Sequence, residues 1–331
     1  MIPELAIVLL SKNQAWNISR LIESVLNVSP EIASTEVVLV DSASTDATIE
    51  IACKYQISVI QLDKNQHLCP SAGRYTGYNF TSSELVLFLD GDNELYPGWL
   101  EKALHVLKNN HDVAAISGPR IPLPLKGKDA DKPPLLNPPV EDMKTVWHPG
   151  GTALYRRSVL KQVGTFNPFL YSDEEPELAF RIRNAGYRIV MLEHPICYDY
   201  TDPAGELSTL YKRWKRNLYL GRGQTLRYHL GKDSFWNIVK ERGFGISPLI
   251  FLIAMIYSLV WYLITGEKIM LTIVGAAFIV FVLGDLLRRR SLKKTVTSLF
   301  KRLVAADGTI RGFFLTPHPP ESYPKTYRQI Q

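Results

Sequence analysis

Four short apolar runs, separated by helix-length intervals, constrain this chain more than any other feature. They are Leu5–Leu10, Val37–Val40, Ile57–Leu62 and Leu85–Leu89, and three of them stop abruptly at Ser11-Lys12-Asn13, at Asp41 and at Asp90-Gly91-Asp92. Uninterrupted apolar runs of this length read as strands buried on both faces. Between them Ile18, Leu21, Ile22, Val25 and Leu26 recur at helical spacing, Ile49, Ala52 and Cys53 follow a Ser44-Thr45 capping signal, and Pro70 to Phe80 forms a third helical segment. Strand and helix therefore alternate from residue 5 to about 110, which predicts an α/β fold with a mostly parallel sheet and right-handed crossovers. With 331 residues, 46% of them hydrophobic, the chain suffices for one large domain and an appendage.

The acids at the strand ends set the chemistry. Ligands of open α/β sheets bind at the carboxyl edge of the strands. Two carboxylates one residue apart, Asp90 and Asp92, can hold a hard divalent cation that carries phosphate oxygens. A solvated Asp-Gly turn is the plainer alternative. No Gly-x-Gly-x-x-Gly or Walker loop follows any strand, so a nucleotide here is held through acids and a metal, which argues against dehydrogenases and P-loop enzymes.

Beyond the central strand, Trp99 to Asn109 reads as a helix and Val113 to Ser117 as a strand. From Pro119 to Trp147 the pattern gives way to seven prolines and a mixed-charge patch, Lys126 to Lys132, expected to be a long loop on the acceptor side. Gly150 and Gly151 allow close approach of a ligand to the backbone. Arg156 and Arg157 are candidates to neutralise phosphate or brace a carboxylate, and His148 reads as structural. Asp173, Glu174, Glu175 and Glu177 open a helix that Gly186 closes. Acids in a first turn complement the helix dipole, which accounts for one or two of them but not for four.

Val38-Leu-Val-Asp41-Ser-Ala-Ser44-Thr-Asp46-Ala-Thr48, Ala72-Gly-Arg74-Tyr-Thr-Gly77, Phe88-Leu-Asp90-Gly-Asp92, Gly150-Gly151 with Arg156-Arg157, and Asp173-Glu174-Glu175-Pro-Glu177-Leu178-Ala-Phe-Arg181 occur in this order. Together they resemble the successive motifs of family 2 glycosyltransferases of the GT-A fold, over about the first 200 residues. The resemblance implies an inverting transferase that uses a nucleotide sugar and Mg²⁺ or Mn²⁺. It assigns Ser11, Asn13, Asp41, Ser44, Arg74 and Asp90 to the donor, Asp92 with Asp90 to the metal, and Gly150 and Gly151 to the acceptor. His194 and Asp199 are candidates for a third ligand. Inversion needs a base for the acceptor hydroxyl. The family's usual Glu-Asp pair falls on Glu174 and Glu175, with Glu175 as base and Glu in place of Asp. Arg213-Trp214 resembles the last two positions of the Gln-x-x-Arg-Trp motif of processive synthases, with Leu210 where glutamine belongs. Both are acceptor candidates, and a plain helix surface is the alternative.

The C-terminal part is of another kind. Ser247 to Thr265 carries no charge over 19 residues, and Ile269 to Leu287 carries only Asp285. At about 1.5 Å per residue each reaches roughly 28 Å, close to the hydrocarbon thickness of a bilayer. Joined by Gly266-Glu267-Lys268, they are expected to form a transmembrane hairpin. Of the 38 Lys and Arg, seven lie between Arg288 and Arg302, in a chain of net charge +6. The positive-inside rule then puts both ends, and the catalytic part, in the cytoplasm. Leu292, Val296, Leu299, Phe300, Leu303 and Val304 recur at helical spacing among lysines and arginines, as in an interfacial helix on an anionic leaflet. No base-reading pattern supports nucleic acid as a partner. The run after Met1 is too short for a signal peptide, and Cys53, Cys69 and Cys197 form no disulfide framework, which suits a reducing compartment. The sequons at Asn17, Asn27 and Asn79 read as chance.

The expected organisation is a nucleotide-sugar half (1–118), an acceptor and catalytic half (119–235), a transmembrane hairpin (236–290), and an amphipathic interfacial helix with a tail (291–331). The expected activity is sugar transfer to a membrane acceptor such as a lipid-linked saccharide in surface-glycan assembly. A polyprenyl-phosphate sugar synthase and a catalytically silent scaffold in a glycan-assembly complex are the alternatives.

Overall fold

The expected strands form as β1 (Leu5–Ser11), β2 (Thr35–Asp41), β3 (Ser58–Leu62) and β4 (Leu85–Asp90). The computed structural model describes residues 4–28, 34–124, 132–133, 143–200, 207–242 and 247–331. The chain divides into two units, Met1–Asp202 with His318–Gln331, and Pro203–Pro317.

In the first unit β1 runs parallel to both β2 and β4, with Ser11 opposite Asp41 and Leu10 opposite Asp90. That register brings the polar ends of three strands to one edge. Further along come β5 (Asn93–Leu95), β6 (Val113–Ser117), β7 (Arg120–Leu123), β8 (Met143–Thr145), β9 (Ala153–Arg156), β10 (Arg188–Leu192), β11 (Cys197–Tyr200) and β12 (Tyr327–Gln329). The main sheet has the order β12-β3-β2-β1-β4-β9-β6-β10-β8, and β5-β11-β7 form a smaller one. Parallel pairing holds from β3 to β4; β9 then enters antiparallel to both β4 and β6, so the sheet is mixed. The stretch from Pro119 is not wholly irregular. β7 lies there as an edge strand beside β11, where Pro122 is tolerated because an edge asks less of each amide. Residues 125–131 and 134–142, with most of the charged patch, lie outside the described residues.

Helices α1 (Ile18–Leu26), α2 (Thr48–Ala52), α3 (Pro70–Phe80), α4 (Trp99–Asn109), α5 (Arg157–Val163) and α6 (Glu174–Asn184) complete the unit. Leu5, Ile7 and Leu9 of β1 share one core with α1 and with Trp99, Leu100 and Ala103 of α4. Ala6, Val8 and Leu10 share the other with Ala72 and Tyr75 of α3 and Leu178 and Ile182 of α6. Burial on both faces is why β1 shows no alternation. A side chain at Gly77 would overlap Val8, so α3 lies unusually close to the sheet. Ser44 and Thr45 do not cap α2. Asp46 accepts from the Thr48 amide at 3.1 Å, while Ser44 turns back onto Asp41.

The second unit comprises α7 (Leu207–Lys215), α8 (Gly221–His229), α9 (Phe235–Arg242), α10 (Ser247–Thr265), α11 (Ile269–Arg289) and α12 (Leu292–Phe313). The α10–α11 hairpin turns at Gly266, where φ is +76°, and Phe251 packs on Phe278 and Phe281 at ring-centroid distances of 6.4 and 5.7 Å. Among the described residues α11 is long and apolar enough to cross a membrane, and Ile250–Thr265 is a shorter apolar helix. Asp285 ties α11 to α12 through Arg302 at 3.6 Å and pairs with Arg289 at 2.7 Å. Leu292, Val296 and Leu303 of α12 are exposed. Its small residues Gly308 and Gly312 lie where any side chain would overlap Tyr219 and Leu220.

Candidate active site

At the strand edge the buried Asp41 carboxylate accepts from Ser11 Oγ at 3.0 Å, the Ser44 amide at 2.8 Å and Gln61 Nε2 at 3.1 Å, and from the Ser44 hydroxyl. Asn13 has φ +55°, a left-handed conformation that asparagine tolerates. Its amide thereby reaches Ser44 Oγ at 2.8 Å and its Oδ1 receives the Thr45 amide at 2.8 Å. Ser11, Asn13, Asp41 and Ser44 are thus one bonded cluster. Gln61, opposite Asp41 in the β2–β3 register, belongs to it and was not among the residues singled out in the sequence.

Arg74 is the hub of the second cluster. Its side chain is 1% exposed, delivered from α3 to Asp90 Oδ1 (Nη2, 2.8 Å), Glu174 Oε1 (Nη1, 3.0 Å) and the Gly151 carbonyl (Nη2, 2.9 Å), with Glu175 Oε1 at 3.7 Å. Asp173 begins α6 with φ +61°, and the two glutamates after it have different surroundings: Glu174 is 5% and Glu175 18% exposed in the side chain. Burial first, and then the Glu175 charge, push the Glu174 carboxyl up to about 8 against the pull of Arg74. A Cβ on Gly151 would meet Asp90 Oδ2 at 2.8 Å and Glu175 Oε1 at 3.1 Å. The glycine backbone therefore fills the gap between these two carboxylates. A Cβ on Gly150, with φ +84°, would meet no atom within 4 Å.

The Asp90-Gly91-Asp92 turn is held by a polar frame. Asn17, 1% exposed, donates to the carbonyls of Gly91 (3.0 Å) and Asn93 (2.9 Å). Asn93 Oδ1 accepts from Thr152 Oγ1 at 2.7 Å and from the Asp90 amide at 3.2 Å. Asp92 is pushed up to about 7, by burial first and then by Asp90 and Asp199. Asp199 rises as well, through burial and Asp90, with Arg120 at 3.3 Å opposing. His194 is packed away from the acids: it is 2% exposed, its Nε2 lies 2.9 Å from the Pro97 carbonyl and its ring rests edge-on against Tyr96. Among the described residues no three His, Cys, Asp or Glu side chains are arranged to hold a metal ion by themselves.

Two expectations are corrected. Arg156 and Arg157 spend their guanidinium donors within the fold; Arg156 donates to the carbonyls of Val113 (2.8 Å) and Asn110 (3.0 Å), and Arg157 to that of Tyr78 (2.8 Å) and to Thr81 Oγ1 (2.7 Å). They close helix ends and loops. Glu177, 1% exposed, is bound by Arg181 at 2.7 Å, and Arg181 in turn holds the Val163 and Thr165 carbonyls, so this acid braces α6. Arg213 and Trp214 lie on α7 of the second unit. Arg213 is exposed, and the Trp214 indole N–H donates to Asp307 at 2.6 Å.

The sequence matches the family model for glycosyl transferase family 2 over residues 6–164 and that for glycosyl transferase family group 2 over residues 141–285. Glycosyltransferase AglE of Haloferax volcanii is 24% identical over 239 residues, 70% of this chain and 77% of that protein. Polypeptide N-acetylgalactosaminyltransferase 6 of Bos taurus is 33% identical over 108 residues, 31% of this chain, which spans 17% of that relative's length. Among solved structures, mannosyltransferase PcManGT from Pyrobaculum calidifontis, in complex with GDP-Man and Mn²⁺, superposes with a TM-score of 0.59 at 15% identity, over 95% of this chain and 88% of that one. S. aureus TarS 1-349, in complex with UDP-GlcNAc, gives 0.50 at 18% identity over 93% and 90%. At such identities the likeness is one of fold.

Proposed function

Because this chain belongs to glycosyl transferase family 2 and has its GT-A fold, we propose that it moves a sugar, with inversion, from a nucleotide sugar to a membrane-associated acceptor, a lipid-linked saccharide in surface-glycan assembly. The observation that carries this reading is the convergence of Asp90 Oδ2 and Glu175 Oε1 on the bare backbone of Gly151, with Arg74 behind them. A donor held on the Asp90 side and an acceptor hydroxyl on the Glu175 side then meet over a glycine. The nucleotide sugars bound by PcManGT and TarS support the donor class.

In this mechanism the Ser11–Asn13–Asp41–Ser44 cluster, with Gln61, receives the nucleoside, the fully bonded Asp41 carboxylate holding Ser11, Ser44 and Gln61 in place. Glu175, the more accessible glutamate, takes the proton from the attacking hydroxyl. Glu174 remains protonated and holds Arg74, and Arg74 fixes Asp90. Burial, and then the Asp90 and Asp199 charges, raise Asp92, while burial and Asp90 raise Asp199, with Arg120 opposing both; this oxygen donor set suits Mg²⁺ or Mn²⁺ held by one or two carboxylates together with substrate phosphates. Asp90 and Asp92 would hold the ion, which when bound offsets the charge of the leaving diphosphate.

The α10–α11 hairpin anchors the enzyme in the bilayer, and the cations from Arg288 to Arg302 put the catalytic unit on the cytoplasmic side, where nucleotide sugars are made. A two-helix hairpin by itself offers no translocation channel, which favours transfer of a single sugar over export of a polymer. Gly150 and Gly151, in the first unit, serve the acceptor through the close approach that their backbone allows.

The test is calorimetric titration of UDP-, GDP- and dTDP-sugars into detergent-solubilised protein, with Mn²⁺ or Mg²⁺ and with EDTA. Metal-dependent binding of one donor, lost in Asp92→Ala, is expected. Folded protein that binds no donor in the presence of metal would leave a silent scaffold as the better account.

A further inference from the structure

The tail after α12, which carries no recognisable motif, makes contacts that converge on the two loops feeding the candidate site. Tyr323 is 2% exposed. Its hydroxyl donates to the His67 carbonyl at 2.8 Å, and its ring sits edge-on to Tyr75 at 5.9 Å and to Phe169 at 5.6 Å. Tyr75 is the neighbour of Arg74 on α3, and Phe169 lies in the loop that leads into Glu174 and Glu175. His318 adds a second ring against Phe169 at 5.0 Å, and Gln66 Nε2 donates to the Thr326 carbonyl at 2.8 Å. The two loops are also joined directly, by Cys69 Sγ to the Pro168 carbonyl at 3.2 Å and by Ser71 Oγ to the Asn167 carbonyl.

Further along, β12 pairs antiparallel with β3, placing Arg328 opposite Gln61, the residue that donates to Asp41. All three β12 residues are exposed, so the strand adds backbone bonds to a sheet edge and contributes little core. Covering an edge explains β12. It does not explain a buried tyrosine wedged between α3 and the loop before α6.

We propose that Tyr323 is a positioning residue for the active site, and that the tail is a strap setting the spacing between the α3 entry loop and the α6 entry loop. The sealed Arg74–Glu174 pair bridges those two helices, so that spacing determines whether Arg74 can reach Asp90 and Glu174 together. A displacement of about 1 Å at such a site costs on the order of 100-fold in rate. The assignment rests on the donor reading above for its functional consequence, and on packing alone for its structural one.

The experiment compares full-length wild type, Tyr323→Phe and Tyr323→Ala in detergent. Calorimetry with UDP and GDP in MnCl₂ reads the donor side, and hydrogen exchange reads residues 66–75 and 166–178. Tyr323→Ala is expected to bind nucleotide at least tenfold more weakly and to lose protection in both segments while β1 and β4 stay protected. Tyr323→Phe, which keeps the ring contacts, is expected within about twofold of wild type. A folded Tyr323→Ala with unchanged affinity and unchanged exchange overturns the proposal. If wild type binds neither nucleotide, the donor reading fails separately, and the exchange data still decide the strap. Should Tyr323→Ala not fold, Tyr323→Leu carries the same comparison.

Discussion

Arg74 Nη1 donates to Glu174 Oε1 at 3.0 Å across 100 residues of sequence, with both side chains sealed from solvent. The same guanidinium holds Asp90 and stands 3.7 Å from Glu175, so one positive charge faces three carboxylates. Burial first, and then the Glu175 charge, push Glu174, the most buried of them, from 4.5 up to about 8 against the pull of Arg74. The folded state then retains a proton that the unfolded chain releases above about pH 4.5. Stability contributed by this group is full below that pH and is lost as pH rises toward 8, at up to about 1.4 kcal/mol per pH unit. Glu174→Gln, neutral at every pH, removes that slope. Melting temperatures of the two proteins between pH 5 and 8 are expected to draw apart, the wild type falling relative to the variant. Parallel curves would mean Glu174 is ionised beside Arg74.

Gly151→Ala inserts a methyl 2.8 Å from Asp90 Oδ2 and 3.1 Å from both Arg74 Nη2 and Glu175 Oε1. Asp90 is fixed by Arg74 and cannot retreat cheaply, so the two carboxylates are forced apart. Transfer is expected to fall by about 100-fold with the fold intact. Gly150→Ala is the contrast. There the space is open, and the penalty is backbone strain at positive φ, costing about 1 kcal/mol of stability. Steady-state rates and melting curves of the pair separate the two effects. Equal rate losses would remove Gly151 from its place between donor and base.

Glu175→Gln distinguishes the classes of acceptor. A sugar hydroxyl must lose a proton as it attacks, and removing a positioned base typically costs 10²- to 10⁴-fold, about 3–5 kcal/mol of barrier. A phosphomonoester, with a second pKa of about 6, arrives already ionised at neutral pH and asks for no base. A hydroxyl acceptor therefore predicts a loss in that range for Glu175→Gln with unchanged donor affinity. Nearly full turnover would point instead to a polyprenyl phosphate.

The strand-end acids were legible because their chemistry is local. An apolar run of five or six residues bounded by turn residues reads as a strand buried on both faces, and a carboxylate at its end then emerges at the sheet edge, as Asp41 and Asp90 do. Arg156 and Arg157 misled because their partners are main-chain carbonyls of distant residues, Val113 and Tyr78 among them, which no side-chain pattern advertises. Gln61 depended on the register of β2 against β3, and Asn17 on a turn 74 residues away. The tail was opaque for a related reason. Tyr323 has meaning only once α3 and the loop before α6 are side by side.

The second unit tests how tightly α8 meets α12. At Gly223 an added Cβ would overlap the Thr309 carbonyl, and at Gly308 and Gly312 it would overlap backbone atoms of Tyr219 and Leu220. Helices that approach this closely need small residues where they touch. In an exposed helix Gly→Ala gains up to about 1 kcal/mol from backbone entropy, but here the obstructing atoms are backbone and cannot rotate away. Overpacking of this kind costs about 1–3 kcal/mol, so Gly223→Ala is expected to lower the melting temperature of the helical signal. Gly275→Ala in α11, where no atom lies within 4 Å of the new methyl, is expected to leave it unchanged or raise it. The opposite order would mean that α8 and α12 are not held at glycine distance.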